Sequence, residues 1–255
     1  MSLLHEIQND VTRSGTYGEI PNLLRKCKRL AARLGSDVFA QWVNCELDGY
    51  QETQAIPGYR RLTGNCYANF MGRGWRANHQ MVPLFAVPEE FQDDLYSMEF
   101  RGGIAKVVSF VEKGAMIEQP HIAVLVKRQG QMFPQLQCIG AWKEISGSQF
   151  EQLISAIKNR VLDFAIAIES ENPNAGEAPL NSQPVPAERL QTLVNNFFAP
   201  VGNVAQHGQN SSQTANIGIQ SSDLARLVVE LTEHLDELAL DGPQRKREQR
   251  LSLPP

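Results

Sequence analysis

Hydrophobic residues recur every three or four positions from Ile20 to Leu34, the spacing that places side chains on one face of an α-helix. Arginine and lysine occupy much of the opposite side, and Gly35, which can adopt a positive φ, marks the end of this helix. The stripe therefore predicts a helix with one core-facing side. Its apolar positions are Ile20, Leu23, Leu24, Cys27, Leu30, Ala31 and Leu34.

A second helix is predicted to begin directly after the first. Ser36 can accept a backbone N–H as the N-cap, and Asp37 complements the positive first turn. Gly49 marks its end. Because the connection is so short, we expect the two helices to pack against each other or against a common neighbour. The apolar positions of the second helix are Val38, Phe39, Trp42, Val43 and Leu47.

Four other segments carry helical signals. Leu3 to Val11 has apolar residues at helical spacing, and so does Ile104 to Val111, although its β-branched residues leave a strand as the alternative. Pro88 to Met98 is predicted as a helix because proline fits the first helical position. The longest stripe runs from Phe150 to Ile168, behind a capping box formed by Ser148 and Glu151. We expect this helix to end before Pro173 and to pack on the N-terminal helices.

Strand signals are confined to the middle of the chain. Leu62 to Phe70 and Trp75 to Leu84 mix aromatic and β-favouring residues around glycines, which predicts two short strands or an extended hairpin. His121 to Lys127 is an apolar run that fits either a buried strand or a helix turn. The predicted class is therefore mainly α within α+β: an N-terminal helical bundle with a few short strands.

Composition divides the chain into three parts. Residues 172–186 are rich in proline, asparagine and small residues, which predicts an exposed linker between a helical domain at 1–171 and a C-terminal region at 187–255. Ala187 to Phe198 is predicted as a short amphipathic helix in that C-terminal region.

The C-terminal region is predicted to assemble copies of the chain. Short amide-rich strands around Val204 and Ile217 would pair with copies of themselves, and a following helix has leucines at coiled-coil spacing. A free loop and an ordinary amphipathic helix are the alternatives. The residues predicted to mediate assembly are Val201, Asn203, Val204, Gln206, Asn216, Ile217, Ile219, Leu224, Val228, Leu231, Leu235 and Leu238.

Composition and charge narrow the class of protein. The formal charge of −4 argues against a whole-molecule binder of nucleic acid or acidic membranes. No apolar stretch is long enough to span a membrane and the N-terminus lacks a signal pattern, so we expect a cytoplasmic protein without membrane contact. The dispersed cysteines and histidines predict neither a metal site nor a cofactor.

A local basic face remains a candidate for nucleic-acid contact. It lies on the first predicted helix, where a contiguous set of cations could meet phosphates, and a solvated surface is the alternative. Its residues are Arg25, Lys26, Lys28, Arg29 and Arg33. We find no phosphate-binding loop, nucleophile elbow or zinc-protease motif, which favours a protein that is not an enzyme and leaves open a site assembled from distant residues.

The segment from Leu24 to Arg61 resembles the N-terminal domain of the AbiTii family, a helical module of bacterial phage-defence systems. In that family a leucine-and-lysine helix precedes a W-V-x-x-E-L-x-G-Y segment and a P-x-Y-R turn. The resemblance covers about the first hundred residues. The matching positions are Trp42, Val43, Glu46, Leu47, Gly49, Tyr50, Pro57, Tyr59 and Arg60.

The resemblance implies a role in abortive infection and leaves the chemistry open. Glu46, Tyr50, Tyr59 and Arg60 could meet, and an arginine that holds a buried glutamate is the ordinary structural interpretation. We therefore expect a homo-oligomeric effector or adaptor, whose candidate partners are another defence protein and a phage component that triggers it. A nuclease-like toxin and a regulatory partner that restrains another defence protein are the alternatives.

Overall fold

The two best-patterned helices form as predicted. Helix α2 spans Ile20–Leu34 and helix α3 spans Asp37–Asp48. Between them Gly35 has φ 67°, and the Ser36 side chain accepts a hydrogen bond from the backbone N–H of Phe39 at 3.3 Å. All seven predicted apolar residues of α2 are buried. In α3 the stripe is also confirmed, except that Val38 is exposed.

The structure, a computed structural model, describes residues 2–13, 17–130, 132–133 and 135–198. These residues belong to one compact unit, Met1–Val204. Four more helices surround the α2–α3 pair and share its hydrophobic core: α1 (Leu3–Thr12), α5 (Ile104–Phe110), α7 (Gly147–Glu171) and α8 (Ala187–Phe198). Helix α7 packs on α1 as predicted. The helix predicted for Ile104 to Val111 is confirmed as α5, so the strand alternative does not apply. No helix among the described residues is both long and apolar enough to cross a membrane.

The capping box predicted at Ser148 is wrong. Helix α7 begins at Gly147, with Ser146 as its N-cap, so Ser148 already lies inside the first turn. Its hydroxyl contacts the Ser146 hydroxyl at 2.8 Å. Ser146, two residues earlier, occupies the N-cap position, although its side chain makes no capping hydrogen bond.

The strands form two small antiparallel sheets. Strands β1 (Arg61–Thr63) and β4 (Ser97–Glu99) pair with each other. The larger sheet has the order β3-β2-β6-β5 and consists of β2 (Asn65–Met71), β3 (Arg76–Met81), β5 (Ala115–Glu118) and β6 (Gln137–Ile145). The predicted hairpin is therefore confirmed as β2–β3, although its partners β5 and β6 were not predicted.

One segment with two open alternatives forms a helix, and one predicted helix does not form as a continuous element. His121 to Lys127 lies in helix α6, which spans Pro120–Gln129 and begins with proline at its first position. The predicted helix from Pro88 to Met98 is wrong over most of its length. It breaks into a 3-10 turn at Glu89–Phe91, a single turn α4 at Asp93–Tyr96, and the start of β4, because the chain must turn to place β4 beside β1.

Residues 172–186 are exposed over most of their length and contact the helical bundle at several points. Ala175 and Val185 are buried in the helical core, and the Asn181 backbone N–H donates to the Ala32 carbonyl of α2 at 2.9 Å. The Glu177 carboxylate accepts a hydrogen bond from the backbone N–H of Leu3 at 3.0 Å. Most of the remaining side chains are exposed, and the role of this segment as a linker between two domains stays a prediction.

Helix α8 is confirmed at its predicted bounds, and it packs within its own chain. Phe198 stacks on Trp42 and Phe39 with ring centroids 4.2 and 4.9 Å apart. Leu190 and Val194 are also buried. The apolar face of α8 is thus used by the helical core, and this part of region 187–255 belongs with the N-terminal helices. The residues predicted to mediate assembly, Val201 to Leu238, lie outside the described part of the chain.

Candidate functional site

The W-V-x-x-E-L-x-G-Y and P-x-Y-R residues meet in the interior of the protein. Glu46 lies in the last turns of α3, and Arg60 ends a 3-10 helix at Gly58–Arg60 that follows Pro57. Both side chains are fully buried. Arg60 Nη2 lies 2.6 Å from Glu46 Oε2, and Arg60 Nε lies 3.1 Å from Oε1. The two motifs therefore create a buried, two-pronged ion pair between α3 and the chain that enters β1.

Two tyrosine hydroxyls complete the coordination of the Glu46 carboxylate. Tyr50 and Tyr59 donate to Oε1 at 2.7 and 2.6 Å. The Trp42 indole N–H donates in turn to the Tyr59 hydroxyl at 3.0 Å. Burial and the neighbouring carboxylate raise the pKa of both tyrosines above their usual value. Both hydroxyls thus remain protonated donors throughout the physiological pH range.

The far side of Arg60 ties in the chain after β4. Its Nη1 donates to the carbonyls of Phe100 and Gly102 at 3.0 and 2.7 Å. Burial opposes the charge of Arg60, but the Glu46 carboxylate raises the net pKa of the guanidinium above its usual value. The same loop passes so close to Gly49 that a Cβ there would lie 2.7 Å from the Arg101 carbonyl oxygen. Gly49 also has φ 102°.

This buried cluster is a structural tie, because its polar groups already satisfy one another and Glu46 and Arg60 have no solvent-accessible surface. It joins α3, the 3-10 turn and the Phe100–Gly103 segment. A substrate would have no route to the carboxylate. The arrangement agrees with the structural interpretation of the motif rather than with a catalytic site.

The basic residues of α2 are partly neutralised by neighbours. Lys26 forms ion pairs with Glu6 and Asp10 of α1 at 3.1 and 2.9 Å. Arg33 Nη1 lies 3.8 Å from the Glu177 carboxylate. Lys28 and Arg29 are exposed, and Arg25 donates to the Asn22 side chain at 2.7 Å. A role in nucleic-acid contact for this face stays a prediction.

A broad accessible concavity lies elsewhere, on the larger sheet. One side of that sheet packs through Cys66, Ala68 and Phe70 against Ile122 and Val126 of α6. We call the opposite side the open sheet face. It holds a cleft of about 930 Å³. The residues that line the cleft include Asn69, Asn78, His79, Met116, Ile139 and Trp142.

Three rings lie together on the open sheet face. Tyr67 of β2 and Trp142 of β6 are register partners and so project to the same side. The imidazole of His79 stacks on Tyr67 with centroids 4.2 Å apart and lies 5.9 Å from the Trp142 ring. His79 Nε2 is 2.8 Å from Glu144 Oε1, which also accepts the Trp142 indole N–H at 3.0 Å. These two hydrogen bonds, led by that of Trp142, lower the pKa of Glu144.

The backbone at His79 is unusual. Its φ is 53°, a left-handed conformation that residues other than glycine seldom adopt, and it lies where β3 carries an extra residue relative to β2. The Asn69 side chain holds this conformation by accepting the His79 backbone N–H at 2.8 Å. The bulge brings the imidazole onto the face occupied by Tyr67. The sequence analysis did not bring together His79, Tyr67, Asn69, Trp142 and Glu144, and the alternation of side chains along the strands was the available signal.

Two cysteine thiols and one lysine amine outside this site are buried. Burial raises the pKa of the Cys27 thiol to about 12 and that of Cys66 to about 11. Lys143 is buried in β6, where it donates to the carbonyls of Asp94 and Ser97 at 2.7 and 2.6 Å, and burial lowers its pKa. Within the described ranges, no three His, Cys, Asp or Glu side chains cluster closely enough to hold a metal ion.

Fold and site together define an α+β domain in which a helical bundle and a small antiparallel sheet are joined by a buried glutamate–arginine pair. The sequence model of the AbiTii family matches residues 2–192. The chain belongs to the AbiTii family. The match extends well beyond the first hundred residues that the motifs indicated and includes the open sheet face. Neither a curated protein nor a solved structure gives a significant match.

Proposed function

We propose that this protein acts in abortive infection, the form of phage defence that its family suggests, as an oligomeric effector or adaptor. The observation that carries the proposal is the family match over residues 2–192. In this proposal the domain up to residue 198 is a binding module. The segment that follows it assembles copies of the chain.

The position of the family motif supports a binding or adaptor role. Trp42, Glu46, Tyr59 and Arg60 use their polar groups on one another inside the protein. Residues with this placement preserve a fold. The surface that the fold presents, with its cleft and exposed rings on the open sheet face, is then the part available to a partner.

Self-assembly is supported by the sequence alone. The amide-rich segment around Val204 and Ile217 and the heptad leucines from Leu224 to Leu238 are the features that favour it. Because α8 already buries its apolar face against Phe39 and Trp42, the assembly surface is proposed to lie beyond residue 198.

Phage plating tests the defence role. Bacteria that carry the gene under its own promoter are challenged with a panel of unrelated phages, beside cells with an empty vector. We expect reduced plating of at least one phage together with death of infected cells at high multiplicity, the behaviour that abortive infection requires. Equal plating of every phage on both strains would contradict the proposal.

Multi-angle light scattering tests assembly. The full chain is compared with a variant that lacks residues 200–220 and with a matched variant that lacks residues 251–255. We expect the full chain and the shorter deletion to share one oligomeric mass and the 200–220 deletion to have a smaller one. A monomeric full chain at micromolar concentration, or one mass for all three proteins, would contradict the assembly claim.

A further inference from the structure

The open sheet face extends as one strip from the three rings to the end of the β2–β3 hairpin. Tyr67, Asn69 and Met71 alternate along β2 and project to the same side. Met71 pairs with Arg76 of β3, so Arg76 lies on that side too. Four residues of strand separate Tyr67 from Met71, which corresponds to about 13 Å. The strip therefore has rings at one end and a guanidinium at the other.

Apolar and aromatic side chains on this strip are exposed to an unusual degree. Met116 of β5 is 68% exposed and Ile139 of β6 is 56% exposed. Trp75, in the hairpin turn directly before Arg76, is 76% exposed, but it lies outside the strip, because alternation places it on the opposite side of the sheet from Arg76 and beside Phe133. Large apolar groups that gather on one accessible surface mark a site of interaction. Aromatic rings on the strands of an exposed sheet are a surface on which unpaired bases stack.

The cations at the hairpin are free to meet an anionic partner. Within the described part of the chain, the side chains of Arg73 and Arg76 form neither an ion pair nor a hydrogen bond. Both line a second concavity together with Trp75 and Phe133, which lies at the hairpin end of the sheet on the side of α6, since Phe133 contacts Phe70. Lys26 on α2 differs, because two carboxylates already hold it. The hairpin thus combines free positive charge with exposed rings.

The acidic groups on the strip are compatible with this charge pattern. Glu144 is engaged by His79 and by the Trp142 indole N–H. Glu118 of the edge strand β5 lines the same cleft and is the register partner of Trp142, so it places a carboxylate beside the rings and away from the hairpin arginines. The Asn78 side chain lines the cleft and has no hydrogen-bond partner among the described residues. A free amide offers both a donor and an acceptor to the edge of a base.

We infer that the open sheet face binds single-stranded nucleic acid, with bases stacked on the His79 and Trp142 rings and with phosphates at Arg76 and, in the adjoining hairpin turn, at Arg73. The strip is long enough for about two or three bases, the number that comparable sheet surfaces hold. This site differs from the basic face of α2. The inference adds a ligand to the proposed function. Its biological role rests on that function, whereas the binding itself does not.

Fluorescence anisotropy with the full chain tests the inference. The probes are fluorescein-labelled oligouridine and oligothymidine of about 15 nucleotides, near the upper site size of a single binding domain. Three proteins are compared with the wild type: Trp142→Leu, the double variant Arg73→Gln/Arg76→Gln, and the control Lys28→Gln/Arg29→Gln on α2. Circular dichroism and thermal unfolding establish that each variant is folded.

We expect the wild type to bind at least one probe and Trp142→Leu to weaken that binding about tenfold, the loss of one stacked base. The Arg73→Gln/Arg76→Gln protein should bind more weakly. For this variant, the slope of log K against the logarithm of the salt concentration should be shallower by about 0.7 for each lost phosphate contact. The Lys28→Gln/Arg29→Gln protein should bind like the wild type. Because the guanidinium groups of Arg73 and Arg76 form no ion pair or hydrogen bond in the described part of the chain, their replacement tests binding even if Trp142→Leu unfolds.

Binding of neither probe at low salt would overturn the inference, and so would equal binding by the wild type and the Arg73→Gln/Arg76→Gln variant or loss of binding in the α2 variant alone. Displacement of the probe by uridine monophosphate at probe concentration would overturn it too, because it would identify a free nucleotide as the ligand. Preferential binding to phosphatidylserine vesicles over both probes would also refute it. Failure of binding would leave phage restriction by the intact gene unaffected, so the two proposals fail separately.

Discussion

Replacing Glu46 by glutamine perturbs the buried tie with almost no change in side-chain shape. The carboxylate is an acceptor-only group that receives the hydroxyls of Tyr50 and Tyr59 and two N–H groups of Arg60. A glutamine offers one oxygen and places an NH₂ donor against these donors. It also leaves the fully buried guanidinium of Arg60 without a counter-charge.

The expected cost follows from this geometry. Removing one partner of a buried ion pair lowers the free energy of unfolding by about 3–5 kcal/mol. Arg60→Met should cost a similar amount, because the carboxylate then remains buried without its cation. In the double variant Glu46→Leu/Arg60→Met no buried charge is left, so its loss should be smaller than the sum of the losses in Glu46→Leu and Arg60→Met. It should still exceed zero, since each hydroxyl left unpaired costs about 1–3 kcal/mol.

Urea unfolding of the full chain at neutral pH, followed by circular dichroism, measures these losses. Glu99→Gln is the matched control, since it removes the carboxylate of a surface pair with Arg101 and should cost less than about 1 kcal/mol. A Glu46→Gln protein as stable as Glu99→Gln would refute the view that the family motif is a structural tie. Strictly additive losses in the double variant would contradict direct coupling between Glu46 and Arg60.

Three further predictions concern the same domain. Gly49→Ala should destabilise the protein by about 2 kcal/mol or more because of its positive φ and the nearby carbonyl, whereas Gly58→Ala, which meets open space, should be near neutral in the same unfolding assay. Phe198→Ala should cost about 3–5 kcal/mol in urea unfolding, since the ring is buried among other aromatic residues; a loss under about 1 kcal/mol would show that α8 does not dock. At pH 8 a thiol reagent should label the partly exposed Cys45 before Cys27, whose pKa of about 12 keeps it a protonated thiol; equal rates in the folded protein would contradict this burial.

The helical part of the fold could be predicted because its signals are local. The apolar spacing in α2 and the cap at Ser36 depend on residues a few positions apart. Glu46 and Tyr50 are one helical turn apart, and so their contact follows from helix geometry. The resemblance to the family added Tyr59 and Arg60. Local spacing together with a known motif was therefore enough to assemble the buried cluster.

The sheet could not be predicted in the same way. Strand β6 pairs with β2 across more than sixty residues of sequence, and no local pattern specifies such a partner. Lys143 at an inward position also interrupts the apolar alternation of β6, because carbonyls of a neighbouring segment satisfy its charge. The positive φ of His79, which brings the three rings together, results from a bulge in β3. The open sheet face is therefore a product of tertiary structure.

The central claim is that the family motif preserves the fold and that the open sheet face performs the function. Phage plating on cells that make the Arg73→Gln/Arg76→Gln protein tests this most directly, with the Lys28→Gln/Arg29→Gln protein as control and soluble protein quantified in both strains. We predict that the first variant loses restriction of a phage that the wild type restricts, at an unchanged protein level, while the control retains it. Full restriction by the Arg73→Gln/Arg76→Gln protein would contradict the claim.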